Sequence, residues 1–190
     1  MLHKIAVYLV ARLQGLGYIK ADNSEWCVYI LENRFFSYLC FLAFFLLGSL
    51  VFPPLGVLAF LGCLMLIRRN AGGYHCTTTG RCLLLSVLAV CLGLFAARAL
   101  VPHATAQLLL LLVSTLALVR APVNQAALHL SRQELAGNRK RLRTIQLVML
   151  PALGILCLFH SSFSAYGTVG YAAAALSVLA ANILYRRELL

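Results

Sequence analysis

The histidine and cysteine at positions 75 and 82 are the pair in this 190-residue chain whose types and spacing could do chemistry; they lie in the polar stretch RRNAGGYHCTTTGRC, Arg68 to Cys82. A thiolate nucleophile needs a base within hydrogen-bonding reach, and histidine can serve as that base. In one continuous helix the two positions would share a face but stand about 10 Å apart along the axis, too far for a Cys–His hydrogen bond. The segment must therefore fold back, and Gly72, Gly73 and Gly80, on either side of Thr77-Thr78-Thr79, supply the backbone freedom for it. Cys82 is then expected to open a helix, where unpaired amides, the macrodipole and the neighbouring Arg81 stabilise a thiolate. His75 would take the thiol proton and return it to a departing amine, while the helix-end amides and a threonine hydroxyl hold the oxyanion. Cys76 lacks that placement, and Asn70 and Asn124 are the polar candidates for orienting the imidazole.

The other thiols need a different account. Cys40, Cys63, Cys91 and Cys157 lie inside apolar runs, where a thiol packs as a small hydrophobe, and Cys27 is expected at the membrane interface. No structural disulfide is expected in a reducing compartment. His75, Cys76 and Cys82 could alternatively ligate a structural zinc, although the spacing fits no familiar zinc pattern and a fourth ligand is missing. A further alternative makes the loop the basic, glycine-bearing hinge of a small non-enzymatic transporter or peptide- or lipid-binding protein. Spacing alone leaves the peptidase and the carrier readings open.

The elements that must position these residues are membrane helices. With 62% apolar residues, 11% charged residues and a mean hydropathy of +0.90, the chain is greasier than a soluble core of this size requires. The expected fold is all-α: a polytopic integral membrane protein forming a single membrane domain. About six transmembrane helices are expected, at Phe35–Phe52, Leu55 to about Ile67, Cys82–Val101, Ala104–Val119, Ile145 to about His160, and Tyr166–Tyr185. Pro53-Pro54 ends the first run, because proline lacks the amide donor and disfavours helix at the residue before it. The second run looks short for a full crossing. Residues 1–34 precede these runs as a cytoplasmic-side segment, not as a cleavable signal peptide. Leu2, Ile5, Val7, Leu9, Leu13, Leu16 and Ile19 suit one face of an interfacial amphipathic helix, and a second short helix is expected after Asp22-Asn23-Ser24.

Basic residues set the expected orientation. Of 16 lysines and arginines, all but Arg98, expected to be buried late in the third helix, fall in the N-terminal segment, the 68–81 loop, the 120–144 loop and the C-terminal tail. The alternate turns carry no charge, so both termini and the His75–Cys82 loop are expected on the cytoplasmic side. The same charge can hold anionic lipid headgroups or concentrate an acidic peptide. Arg69 and the run Arg139, Lys140, Arg141 and Arg143 are the candidate substrate-binding residues.

The order Arg-x4-Gly-x-His-x6-Cys, here Arg68, Gly73, His75 and Cys82, resembles the signature of the accessory gene regulator B (AgrB) family. Ala121-Pro122-Val123-Asn124 resembles a second family element, and the similarity in layout spans essentially the whole chain. The resemblance implies a cysteine endopeptidase in the plasma membrane of a Gram-positive bacterium. It would process the precursor of a quorum-sensing peptide, cutting off a C-terminal tail and passing through an acyl-enzyme that closes to a thiolactone or lactone ring. It implies His75 as base, Cys82 as nucleophile, Arg68 as an electrostatic or positioning residue and Gly73 as a hinge, in a homodimer. Family members usually carry an acidic residue and a Lys-Pro pair just beyond the second element; Asn124 and Ala127-Leu128-His129 stand there instead. No cofactor or metal is expected, and nucleic acid is not expected as a partner.

Overall fold

The helices found in the computed structural model follow the apolar runs, with shifted ends. The structure describes residues 2–18, 23–74, 78–123, 131–159 and 161–187. Two compact units divide the chain at Leu47 and Gly48.

In the first unit, α1 spans Leu2–Gly15 and stops in a Schellman turn. The Tyr18 amide donates to the Leu13 carbonyl and the Gly17 amide to that of Gln14, with Gly17 at φ 79. Ala6 and Val10, one turn apart, are its buried positions. His3 Nδ1 lies 3.2 Å from Glu32 Oε2, tying α1 to α2. Helix α2 runs unbroken through Ser24–Ser49, so the short second helix and the first apolar run are one element. Nothing from Glu25 to Phe36 breaks a helix, and 26 residues reach about 39 Å, more than a bilayer core needs. Its exposed residues include Leu39, Leu42 and Leu46, which suits a face solvated by lipid.

The second unit contains α3 (Pro54–Ala71), α4 (Thr79–Leu100), α5 (Ala104–Ala117) with a 3-10 turn at Leu118–Arg120, α6 (Arg132–Leu158) and α7 (Ser162–Arg187). Helix α3 begins with proline at its first position, where no amide is missed, and continues a turn beyond Ile67. The shortest of these helices is α5, not α3. Among the described residues, five helices, α2, α3, α4, α6 and α7, are long and apolar enough to cross a membrane, and α5 with its 3-10 turn adds a shorter apolar one. The protein is therefore a polytopic helical membrane protein. Arg98, expected to be buried, is instead exposed in the last turn of α4, where a long side chain can reach an interface.

Helix α7 is the element on which the second unit is built, and Ala165, Tyr171, Ala174, Val178 and Ala181 along it are buried. In a bilayer, helices associate through close van der Waals contact, which small residues permit. Gly170 shows why: a Cβ there would run into the Phe60 carbonyl of α3. An unpaired polar group is costly in an apolar solvent; Gln107 and Ser164 are paired, whereas Asn182 Nδ2 on α7 is buried with no hydrogen-bond partner among the described residues. Gln107 donates to the Leu100 and Val101 carbonyls at 3.0 and 3.2 Å and accepts from the Ser164 hydroxyl at 2.6 Å, joining the α4–α5 turn to the start of α7.

The 120–144 segment is not a loop throughout. Ser131 opens α6 in a capping box, its hydroxyl accepting from the Glu134 amide while the Glu134 carboxylate accepts from the Ser131 amide at 2.8 Å. The basic run therefore lies on the first turns of a helix.

Candidate active site

The site is assembled where α3 ends. Gly72 terminates the helix at φ 73, its amide donating to the Arg68 carbonyl at 3.1 Å. Gly72, Gly73 and Tyr74 then leave the helix altogether. Their path is held from three sides. On the first, the Val123 amide donates to the Ala71 carbonyl at 3.0 Å, so the second element of the sequence lies against the first. A Cβ on Gly72 would come within 2.9 Å of the Val123 carbonyl oxygen. On the second, the Tyr74 amide donates to Ser177 of α7, at 3.1 Å to its carbonyl and 3.2 Å to its hydroxyl. On the third, Arg68 reaches along its own helix end, and its Nη2 donates to the Tyr74 carbonyl at 2.9 Å. Gly73 fits between these groups because it lacks a side chain: a Cβ there would lie 2.5 Å from the Ser177 hydroxyl oxygen.

The next residue is His75. It lies with Cys76 and Thr77 outside the described residues, as do Asn124 and the 125–130 segment. The predicted His75–Cys82 approach and the zinc alternative both fall there. What is described is the end of one helix and the start of the next, the interruption that a fold-back requires.

On the far side, Thr78 caps α4, its hydroxyl accepting from the Arg81 amide at 3.4 Å. Cys82 therefore does not open the helix. The helix starts at Thr79, and the Cys82 amide already donates to the Thr78 carbonyl at 3.1 Å. The amides of the first turn, Thr79, Gly80 and Arg81, have no backbone acceptor within the helix, and the Thr78 hydroxyl takes up that of Arg81. Because helical side chains lean toward the N-terminus, the half-buried Cys82 still projects over that first turn. Arg81 and Arg69 are both exposed, and Arg68 is half-buried. Asn70 is nearly buried and spends its amide on the Leu66 carbonyl of its own helix, at 3.0 Å.

Arg139 and Arg143, one turn apart on α6, line a cleft of about 140 Å³ with Thr115, Leu118, Ala121 and Gln146. Lys140 and Arg141 are exposed elsewhere on that helix and do not line it. Beside the cleft, Gln146 Nε2 donates to the fully buried Tyr171 hydroxyl at 2.9 Å, which lies 3.2 Å from Thr115 Oγ1. Thr115 gives its own proton to the Leu111 carbonyl at 2.7 Å. The Tyr171 proton therefore goes to Thr115, and the chain of donors runs from α6 through α7 to α5.

Ser177, Tyr74, Gln146 and Tyr171 were not singled out from sequence. The only local signal for Ser177 is its place on the small-residue face Gly167, Gly170, Ala174, Ser177.

An all-helical membrane bundle in which one helix stops at Ala71, the next is capped by Thr78, and an arginine and a glycine are packed at that stop defines a polytopic membrane protein with a built connection between two of its spans. The family model for accessory gene regulator B matches residues 2–183, and the chain belongs to that family. Membership implies a part in accessory gene regulator quorum-sensing peptide processing. Neither a curated relative nor a solved structure matches the chain.

Proposed function

We propose that the protein is a membrane-embedded cysteine endopeptidase that removes the C-terminal tail of a signal-peptide precursor. The observation that carries this reading is the clamp on Tyr74: α3 and α7 both hold the residue before His75, four residues from the turn that caps the Cys82 helix. A mere hinge has no need of such fixing.

The Cys82 thiol gives its proton to the His75 imidazole, and its sulfur forms a bond to the scissile carbonyl carbon. The oxyanion is stabilised by the Thr79 and Gly80 amides. The C–N bond breaks as His75 returns the proton to the leaving amine of the tail, leaving an acyl-enzyme. An internal thiol or hydroxyl of the substrate then attacks that carbonyl, its proton passes by way of His75 to the departing Cys82 sulfur, and a thiolactone or lactone forms. Ring closure must outrun water, so the acyl-enzyme has to be sheltered.

Arg139 and Arg143 at the cleft, with Lys140, Arg141 and Arg69 adding to the field, suit an acidic tail. Charge distribution supports a plasma-membrane orientation with both termini and the site on the cytoplasmic side, where anionic lipid meets the basic face. The lipid-facing α2 is available to a second copy in a homodimer. The test is processing of a co-expressed precursor: Cys82→Ala abolishes it and Cys76→Ala retains much of it. If only the Cys76 substitution abolished cutting, the assignment of the nucleophile would be wrong.

A further inference from the structure

The two hydrogen-bonding groups of the Tyr74 backbone are held by different helices. Its amide, part of the Gly73–Tyr74 peptide, donates to Ser177 on α7, and its carbonyl, part of the Tyr74–His75 peptide, accepts from Arg68 on α3. A peptide unit is planar, so the two consecutive planes that meet at Tyr74 are both held. Ser177 acts twice in this. Its hydroxyl accepts from the Tyr74 amide, and its position leaves no room for a side chain on Gly73. Ser177 sits well inside α7 (Ser162–Arg187), so the segment is held against the helix bundle, not at a frayed end.

We propose that Ser177 is a positioning residue of this peptidase: its hydroxyl, opposite the Arg68 guanidinium, fixes the direction from which the chain delivers His75 to Cys82. The proposal rests on the Cys82–His75 reading. Small errors of position at reacting groups are costly, so removal of the hydroxyl acts on turnover while substrate binding is untouched. The Ser177 carbonyl still accepts from Tyr74 in any variant, which keeps the segment near α7.

The test uses the full chain in lipid nanodiscs, with Cys82 as its only cysteine, and two readouts: processing of the cognate precursor, and the pH dependence of Cys82 alkylation by iodoacetamide. For Ser177→Ala the expected result is a fall in kcat of about tenfold with KM within about twofold, and an alkylation profile displaced toward that of His75→Ala. Ser177→Thr and Ser177→Val have similar volume and differ in the hydroxyl, so the threonine variant should exceed the valine variant severalfold in kcat even if both lose stability. If the His75→Ala profile differs from the parent while Ser177→Ala matches the parent, or if the Thr and Val variants turn over alike, Ser177 is a packing residue and the proposal is overturned with the dyad intact. If His75→Ala itself leaves the profile unchanged, the dyad reading fails and takes this proposal with it.

Discussion

The Val123 amide donates to the Ala71 carbonyl at 3.0 Å, so two elements distant in sequence meet at one helix end. The carbonyls at a helix terminus have no partner within the helix. Val123 satisfies one of them, and its carbonyl then stands against Gly72. The end of α3 is thus closed by the chain that leaves α5.

That closure makes Gly72 sensitive to any side chain. Gly72→Ala forces an L-residue to φ 73 and places its Cβ 2.9 Å from the Val123 oxygen. The backbone strain alone costs about 1–3 kcal/mol. Thermal unfolding in detergent should show a clear loss of stability, whereas alanine at Gly62, with nothing within 4 Å, should cost far less.

The buried hydroxyl of Tyr171 offers a second test. Tyr171→Phe removes the acceptor of Gln146 and the donor to Thr115. A hydrogen bond of this kind within a membrane bundle is worth about 0.6–2 kcal/mol. The loss of unfolding free energy should fall in that range. Adding Thr115→Val to the Tyr171→Phe variant should cost less than making it in the parent, because the pair acts as one network.

Charge placement on α6 separates binding from topology. Arg139→Gln with Arg143→Gln should raise the apparent KM severalfold and flatten its salt dependence, with kcat little changed. Lys140→Gln with Arg141→Gln should do less, since neither residue lines the cleft. Steady-state kinetics on the precursor at several ionic strengths check this; equal effects of the two pairs would show a diffuse field without a docking cleft.

Sidedness is tested by thiol labelling. In a cysteine-free background, single reporter cysteines at Thr78 and Leu135 should react with an impermeant maleimide only from the cytoplasmic side. Reaction from outside would reverse the orientation and place the loop away from a cytoplasmic precursor.

Much of the bundle was legible in sequence because lipid requires long uninterrupted apolar runs, and proline and arginine mark where they stop. The misplaced ends have physical causes. Residues 24–34 were separated from the first run by their polarity, yet nothing in them breaks a helix. The charges of 132–144 suggested a loop, although Ser131 and Glu134 already carried the capping box that starts α6. The helix expected to open at Cys82 starts earlier because Thr78, inside the stretch expected to fold back, already caps it. Arg68 and Gly73 were visible as a motif, but their partner Ser177 lies 103 residues from Tyr74, and no local pattern announces a contact of that range.

The central claim is a covalent intermediate on Cys82. Purified protein mixed with its cognate precursor and quenched in acid should show, by intact-mass and peptide-mapping spectrometry, the N-terminal precursor fragment as a thioester on Cys82. The released tail should appear in equal amount, and both species should be missing from Cys82→Ala. A precursor that binds and is carried unchanged, or is cut with the thioester on another cysteine or on none, would contradict the account.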